Sequence, residues 1–161
     1  MRLLFLGDVV GKPGRDALAK YLPRLQRKLE LDFTVVNGEN AAHGIGITSQ
    51  ICHEFFDLGV DCITTGNHIW DQKEIIPHMQ EGLPLVRPAN YPDAPGKGAL
   101  IRDNVLIINL MGRVFMPPLD CPFRAADRLA IRGTGRQAPL DICQYSRFHQ
   151  QRCRLPRTTL G

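Results

Sequence analysis

The sequence predicts an α/β fold in which parallel strands alternate with helices before the chain enters a hairpin. Two patterns lead to this prediction. Short apolar runs typical of buried strands alternate with segments of helical periodicity, which favours right-handed parallel crossovers. Further along, two apolar runs flank Asp103-Asn104, a two-residue hairpin signal. The first three predicted strands are residues 3–6, 33–36 and 62–65.

The first helix is predicted over residues 14–28, between the first two strands. Its apolar side chains recur at the spacing that places them on one helical face. Pro23 lies inside this segment, and because proline lacks a backbone N–H we expect it to bend or interrupt the helix. The apolar positions are Leu18, Tyr21, Leu22 and Leu25.

The second helix is predicted over residues 50–58. Either Thr48 or Ser49 can cap its N-terminus, since both hydroxyls can accept a hydrogen bond from the first turn. Gly59 is expected to end it, because glycine readily takes the left-handed conformation found there. The remaining elements of this half are a short helix over residues 73–79 and a fourth strand over residues 85–87.

The hairpin begins a second group of elements, with strands over residues 98–102 and 105–110. A parallel half that runs into a hairpin indicates either a mixed sheet or the start of a second sheet. Pro117-Pro118 predicts a loop, and residues 123–130 can form a helix. From Ile131 onward no helical or strand period is sustained, so we expect an irregular tail.

Length and composition describe an ordinary globular chain. The 161 residues suffice for one domain with its own core, and 43% of them are hydrophobic. No run approaches the roughly 18 apolar residues of a membrane helix, and the N-terminus lacks a cleavage pattern, so we expect a cytoplasmic location. The five cysteines include no CxxC pair, which argues against disulfide frameworks and zinc ribbons. Cys52 and Cys62 are expected in the core.

Charge separates the two parts of the chain. Residues 1–130 carry 14 basic and 15 acidic residues, whereas residues 131–161 carry six arginines and one aspartate. Arginine-rich segments can bind RNA through its phosphates, but only Tyr145 and Phe148 could stack on bases there. A solvated tail is therefore favoured over an RNA-binding one.

Three polar clusters follow the first three strands directly: Gly7-Asp8, residues 37–40 and Gly66-Asn67-His68. In open α/β sheets, ligands lie at the carboxyl ends of the strands. Parallel strands would therefore bring the polar side chains to one edge, where carboxylate, amide and imidazole groups suit divalent metals. The side chains concerned are Asp8, Glu39, Asn40, Asn67 and His68.

Each cluster alone also has a purely structural interpretation. Asp8 could cap the following helix, and Glu39 and Asn40 could form a turn around Gly38. Asn67 could be a capping residue beside a hydrogen-bonded histidine. Nearby, Trp70 is expected to pack rather than to stack on a base, and Asp71 is expected to cap the next helix.

The three polar clusters belong to five longer segments of the chain, which together resemble the bacterial calcineurin-like metallophosphoesterases that act as 2′,3′-cyclic-nucleotide 2′-phosphodiesterases. The resemblance runs nearly continuously from residue 1 to about residue 127, which is four-fifths of the chain. It implies a metallophosphoesterase domain over residues 1–130, the N-terminal portion of a four-layer α/β/β/α sandwich. The segments are GDVVGKPGR, VVNGENAAHGIGIT, ITTGNHIWDQKEI, LVRPANYP and INLMGRVFMPPLDCPFRAAD.

The resemblance also implies a dinuclear centre of two divalent ions, whether Fe, Mn or Zn. Asp8 would bind one metal, Glu39 would lie between both with Asn40 beside it, and Asn67 would bind the second. His68 would be catalytic, protonating the leaving oxygen or stabilising the transition state while a metal-activated hydroxide attacks phosphorus. A small phosphodiester or cyclic nucleotide would be the substrate. Other groups that could contact substrate, though a structural role is favoured for each, are His43, Arg87, Asn90 and Arg113.

The chain departs from this family after the resemblance ends. Members continue for about another hundred residues, and that part supplies three histidine ligands. Here Phe148-His149 only echoes the first of them, because Gln150 follows. Residues 131–161 are therefore expected to be disordered or the product of a shifted reading frame or truncation, leaving the first sheet without its partner.

Three functions remain open from the sequence. The chain can be a metal-dependent phosphodiesterase, or a catalytically impaired remnant that serves as an oligomerising module. The third, RNA binding through the tail, has the least support. The sequence sets neither the preferred nucleotide nor the oligomeric state, so a homo-oligomer stays an alternative.

Overall fold

The first sheet contains four parallel strands in the order β1-β2-β3-β4 in a computed structural model that describes residues 1–134 and 140–146, with side chains through residue 130. Each step to the next strand passes through a helix or a helical turn, as the alternating sequence pattern predicts. The mixed α/β class with a parallel sheet is confirmed. The strands are β1 (Leu3–Leu6), β2 (Phe33–Asn37), β3 (Cys62–Thr64) and β4 (Leu85–Val86).

The helices between these strands form where the periodicity predicts them. Thr48, rather than Ser49, caps the second helix and accepts a hydrogen bond from the Ile51 N–H at 3.2 Å. No helix in residues 1–134 combines the length and apolar character that crossing a bilayer requires. The helices are α1 (Gly11–Leu29), α2 (Ser49–Asp57) and α3 (Ile75–Gln80).

Pro23 does not interrupt α1, contrary to our expectation. The helix continues through it to Leu29, although the proline cannot donate a hydrogen bond to the preceding turn. Leu18 and Leu22 precede it on the buried face, and Leu22 is only 1% exposed. Packing of this face against the sheet explains how the helix tolerates the missing hydrogen bond.

A second sheet follows, with strand order β5-β6-β7. Its hairpin confirms the turn prediction, because Asp103 and Asn104 have φ values of 49° and 63°, the left-handed pair of a type I′ turn. Leu119 is buried in the loop that leads to the last helix. The elements are β5 (Ala99–Arg102), β6 (Val105–Met111), α4 (Pro122–Thr134) and β7 (Leu140–Ser146).

The expectation of irregular structure after residue 130 is wrong for two segments. The helix α4 continues to Thr134, and β7 pairs in parallel with β6 over its whole length, from Val105↔Leu140 to Met111↔Ser146. β7 is stabilised by its hydrogen bonds to the edge of β6. Because this pairing joins residues that are distant in sequence, the residues of β7 themselves carry little pattern that predicts a strand. Residues 135–139 and 147–161, including His149, lie outside the described residues.

The two sheets pack face to face through one apolar cluster. Val35 and Val86 of the first sheet meet Val105 and Ile107 of the second, and all four are fully buried. The expectation that the first sheet would lack a partner is therefore wrong. Burial of these side chains from both sheets is what stabilises the pairing of the layers.

The outer faces of the two sheets are covered by helices. On the first sheet, α1, α2 and α3 contribute to a cluster that includes Leu22, Phe55 and Met79. On the second sheet, Ala125 and Ala126 of α4 pack against the outward side chains of β6.

Cys52 and Cys62 lie in this core, as expected. Both are 0% exposed, and burial raises the pKa of each thiol to about 12. At neutral pH both side chains are therefore neutral and behave as small apolar groups. No disulfide joins the described cysteines.

Candidate metal centre

The loops that follow β1 and β2 are joined by three hydrogen bonds. The backbone N–H of Val9 donates to the Asn37 carbonyl at 3.0 Å, and that of Gly11 donates to the Asn40 carbonyl at 2.9 Å. The Asn40 Nδ2 donates to the Asp8 Oδ1 at 2.8 Å. Asp8 and Asn40, 32 residues apart in sequence, therefore meet at the carboxyl edge of the sheet as predicted.

Asp8 is not a helix cap. The N-cap residue of α1 is Val10, and its side chain makes no capping hydrogen bond. The Asp8 side chain is instead exposed and bonded to the neighbouring loop. The alternative interpretation of Asp8 is thus wrong, and its second carboxylate oxygen lies at an open sheet edge where it can accept a ligand.

Glu39 is held by its backbone in a tight turn. Its N–H donates to the Asn37 Oδ1 at 3.0 Å, and its carbonyl accepts from the Gly46 N–H at 2.6 Å. The turn needs Gly38, because a Cβ there would lie 2.8 Å from the Ile47 Cδ1. The Gly38 N–H donates to the Thr64 carbonyl of β3 at 2.9 Å, which ties this turn to the next strand end.

Asn67 and His68 begin a 3₁₀ turn, Asn67–Trp70, directly after β3. The His68 Nδ1 lies 2.7 Å from the Asp71 Oδ2, so Asp71 pairs with the histidine. Our expectation that Asp71 caps α3 is wrong, because the N-cap residue of that helix is Glu74. The carboxylate fixes the imidazole ring through Nδ1. The Nε2 is left as the ring nitrogen that can exchange a proton with a ligand.

Gly46 joins the Glu39 loop to the His68 turn. Its φ is +75°, and a Cβ would lie 2.9 Å from the His68 carbonyl oxygen and 2.7 Å from the Gln72 Cγ. The Gln72 Nε2 also donates to the Ile45 carbonyl at 3.1 Å. Glu39 and His68 therefore lie on two segments that are in contact at Ile45 and Gly46.

Replacing Gly46 with alanine is expected to destabilise this junction by about 2 kcal/mol, because the new methyl group meets backbone and the φ is unfavourable. Gly44→Ala is the matched control. Gly44 also has a positive φ, +94°, but nothing lies within 4 Å of its Cβ position. Urea unfolding should give the larger loss for Gly46→Ala, and equal losses would contradict the close contact.

Asn109 supports the site from the second sheet, a role that we did not predict. Its Nδ2 donates to the Thr65 carbonyl at 2.6 Å and to the Val86 carbonyl at 3.0 Å, so it joins β6 to the ends of β3 and β4. It is fully buried. The available signal was a lone polar residue within the apolar run of residues 105–111.

Arg87 and Asn90 have structural contacts, in line with the favoured interpretation. The Arg87 guanidinium donates to three backbone carbonyls, those of Pro88, Ala94 and Pro95. Asn90 is fully buried and bonds only to backbone groups. None of these hydrogen bonds links Arg87 or Asn90 to Asp8 or to the other candidate metal residues.

The remaining candidates lie in different environments. His43 is exposed with a φ of 54°, and Arg113 is exposed in the loop after β6. Trp70 packs edge-on against Tyr91 with ring centroids 5.5 Å apart, which confirms the expectation that it packs. Its buried Nε1 has no hydrogen-bond partner among the described residues.

The oxygen donors at this edge fit a divalent cation in kind but not in number. Carboxylates from Asp8 and Glu39 and amide oxygens from Asn40 and Asn67 are suitable ligands for hard or borderline metals. Among the described side chains, however, no group of three or more His, Cys, Asp or Glu residues is arranged to hold a metal ion.

Sequence comparisons place the chain beside phosphoesterases. A family model described as YmdB-like protein matches residues 4–143. A 2′,3′-cyclic-nucleotide 2′-phosphodiesterase from Bacillus subtilis is 50% identical over 141 residues, which cover 84% of this chain and 53% of that protein. The chain thus spans about half the length of the curated relatives it matches.

Solved structures support the same relationship. A novel phosphatase from Mycoplasma pneumoniae matches with a TM-score of 0.78 and 32% identity, covering 88% of this chain and 53% of that one. A hypothetical protein from Thermus thermophilus matches with a TM-score of 0.79 and 39% identity, covering 91% and 59%. The similarity therefore includes both the fold and 32–39% of the aligned residues.

Proposed function

This chain belongs to the family of YmdB-like proteins, and from that membership we propose that it hydrolyses phosphodiesters such as 2′,3′-cyclic nucleotides. The relative from Bacillus subtilis carries that activity in its name. The observation that carries the proposal is the hydrogen bond from Asn40 to Asp8. It joins the ends of β1 and β2 at the edge where His68 also begins its turn.

Asp8, Glu39, Asn40 and Asn67 would hold two divalent metal ions, with Fe, Mn and Zn as the candidates. When bound, such ions supply Lewis-acid chemistry that offsets the charge on the phosphoryl oxygens. The Asn40 Nδ2 already donates to Asp8, which leaves the Asn40 Oδ1 for a metal and fixes one Asp8 oxygen. The packing order of helices, sheet, sheet and helix supports a four-layer sandwich around this centre.

His68 would provide the proton for the leaving oxygen of the phosphodiester. Asp71 holds the Nδ1 at 2.7 Å, so the Nε2 would carry the proton and deliver it to the leaving oxygen as a water molecule adds to phosphorus and the P–O bond breaks. The ring then returns to the neutral form with its proton on Nδ1. Asp71 would stabilise the protonated ring in the meantime, since the two side chains form an ion pair when the histidine is charged.

A catalytically impaired remnant or oligomerising module is the second candidate. The observation that favours it is the incomplete set of metal ligands among the described side chains. A shifted reading frame beyond residue 143, where the match to the family model ends, would account for it. Sequencing the genomic locus tests this, because a histidine-bearing extension in another frame supports it and its absence removes it.

A cytoplasmic location and a homo-oligomer likewise remain predictions.

Turnover of 2′,3′-cyclic AMP with added Mn²⁺ tests the enzyme directly. We expect His68→Ala to lower kcat about 100-fold or more, as for the loss of a general acid. His78→Ala is the matched control, because His78 also pairs with an acidic residue three positions on, Glu81, at 3.0 Å. Equal activities of the two variants would refute the role of His68, and an inactive wild-type chain would favour the second candidate.

A further inference from the structure

A second polar pocket lies between α4 and the segment that follows β4. Its volume is about 230 Å³. Neither the candidate metal residues nor His68 line it. Among the residues whose side chains are described, the lining contains two arginines and no acidic residue: Arg87, Ala89, Gly98, Ala125, Arg128 and Leu129.

The Arg87 guanidinium is fixed in one wall of this pocket. Its Nη1, Nη2 and Nε donate to the carbonyls of Pro88, Ala94 and Pro95 at 2.7, 2.8 and 3.0 Å. A guanidinium has five N–H groups, so one donor remains on each terminal nitrogen. The group is held in place before any ligand arrives, which lowers the entropy cost of binding.

The charge of Arg87 is only partly compensated. The side chain is half-buried, and its three hydrogen bonds all go to neutral backbone carbonyls. Burial lowers the pKa of Arg87, which reflects the cost of holding this cation away from water. An anion in the pocket would offset that cost.

Arg128 supplies a second cation from α4. Its only described ionic partner is Asp120, at 3.5 Å, and both side chains are more than half exposed. Such a pair contributes little and can rearrange readily. The small side chains of Ala89 and Ala125 also line the pocket and fill little of it.

We propose that this pocket binds a phosphate group between Arg87 and Arg128, either as the free ion or on a small molecule whose apolar body lies against Leu129. Two guanidinium groups match the geometry of phosphate oxygens, and charge-assisted hydrogen bonds of this kind are strong. The inference goes beyond the proposed phosphodiesterase site, because it involves none of that site's residues.

Titration of the full chain with inorganic phosphate in the presence of EDTA tests the proposal. EDTA removes any contribution from metal ions, so the result does not depend on the proposed hydrolysis. We expect saturable heat and a rise in Tm that sodium chloride of equal ionic strength does not produce. Arg128→Gln should weaken binding about 10-fold or more, whereas Arg24→Gln, at an exposed position on α1, should leave it unchanged.

Asp120→Asn provides a test in the opposite direction, since release of Arg128 from its partner should tighten binding a few-fold. Adenosine 5′-monophosphate distinguishes the two sources, because tighter binding than inorganic phosphate means that the attached body contributes. Equal effects of Arg128→Gln and Arg24→Gln would overturn the proposal. An equal rise in Tm with sodium chloride would also overturn it.

Discussion

Asp8→Ala is expected to weaken Mn²⁺ binding by about 100-fold. The substitution removes one of two carboxylates at the candidate metal centre and leaves the Asn40 Nδ2 without its acceptor. Loss of a residue that only orients a ligand already costs about 10- to 100-fold in metal affinity, and Asp8 would be a ligand itself. Isothermal titration of the purified chain with MnCl₂, together with metal analysis after dialysis, measures the effect.

Asp16→Ala is the matched control for this experiment. Asp16 is also an exposed aspartate, and it pairs with Lys12 at 2.6 Å on α1. Neither variant should change the free energy of unfolding by more than about 1 kcal/mol, because both side chains are at the surface. If Asp8→Ala and Asp16→Ala bind Mn²⁺ equally, the assignment of Asp8 as a metal ligand is wrong.

The parts of the fold that the sequence predicts well are those with local causes. The turn at Asp103-Asn104 depends on two residues that tolerate positive φ, so its position follows from the sequence alone. The start of α2 follows in the same way from the Thr48 hydroxyl. By contrast, β7 depends on the free edge of β6, more than 30 residues earlier, and the arginine-rich sequence around it hides the pattern.

The candidate site shows the same division. The meeting of Asp8 with Asn40 follows from a general property of parallel sheets, so the sequence predicts it without any knowledge of side-chain contacts. The roles of Asp71 and Asn109 do not follow from that property. Asp71 could serve either α3 or His68, and only the conformation of the 3₁₀ turn decides between them. Asn109 acts on strand ends 23 and 44 residues away.

Asn90→Ala is expected to lower the free energy of unfolding by about 3–5 kcal/mol, since two buried hydrogen bonds and one part-buried one disappear. The Asn90 Nδ2 donates to the carbonyls of Met111 and Asp120 at 2.9 and 3.0 Å, and its Oδ1 accepts from the Met111 N–H at 2.8 Å. These contacts hold the end of β6 to the loops on either side. In a chain of this size, the loss corresponds to a fall in Tm of about 10 °C or more.

Two further variants separate hydrogen bonding from other effects. Asn104→Gly changes an exposed asparagine whose φ of 63° suits glycine, so the free energy of unfolding should change by less than about 0.5 kcal/mol.

Asn90→Asp keeps the size of the side chain but turns a carboxyl oxygen toward two carbonyls. Burial would raise the pKa of the new carboxyl above its unfolded value, so the variant should lose stability as the pH rises from about 4 to 8. Denaturation with urea at both pH values measures this, and a loss independent of pH would mean that Asn90 does not direct its amide at these carbonyls.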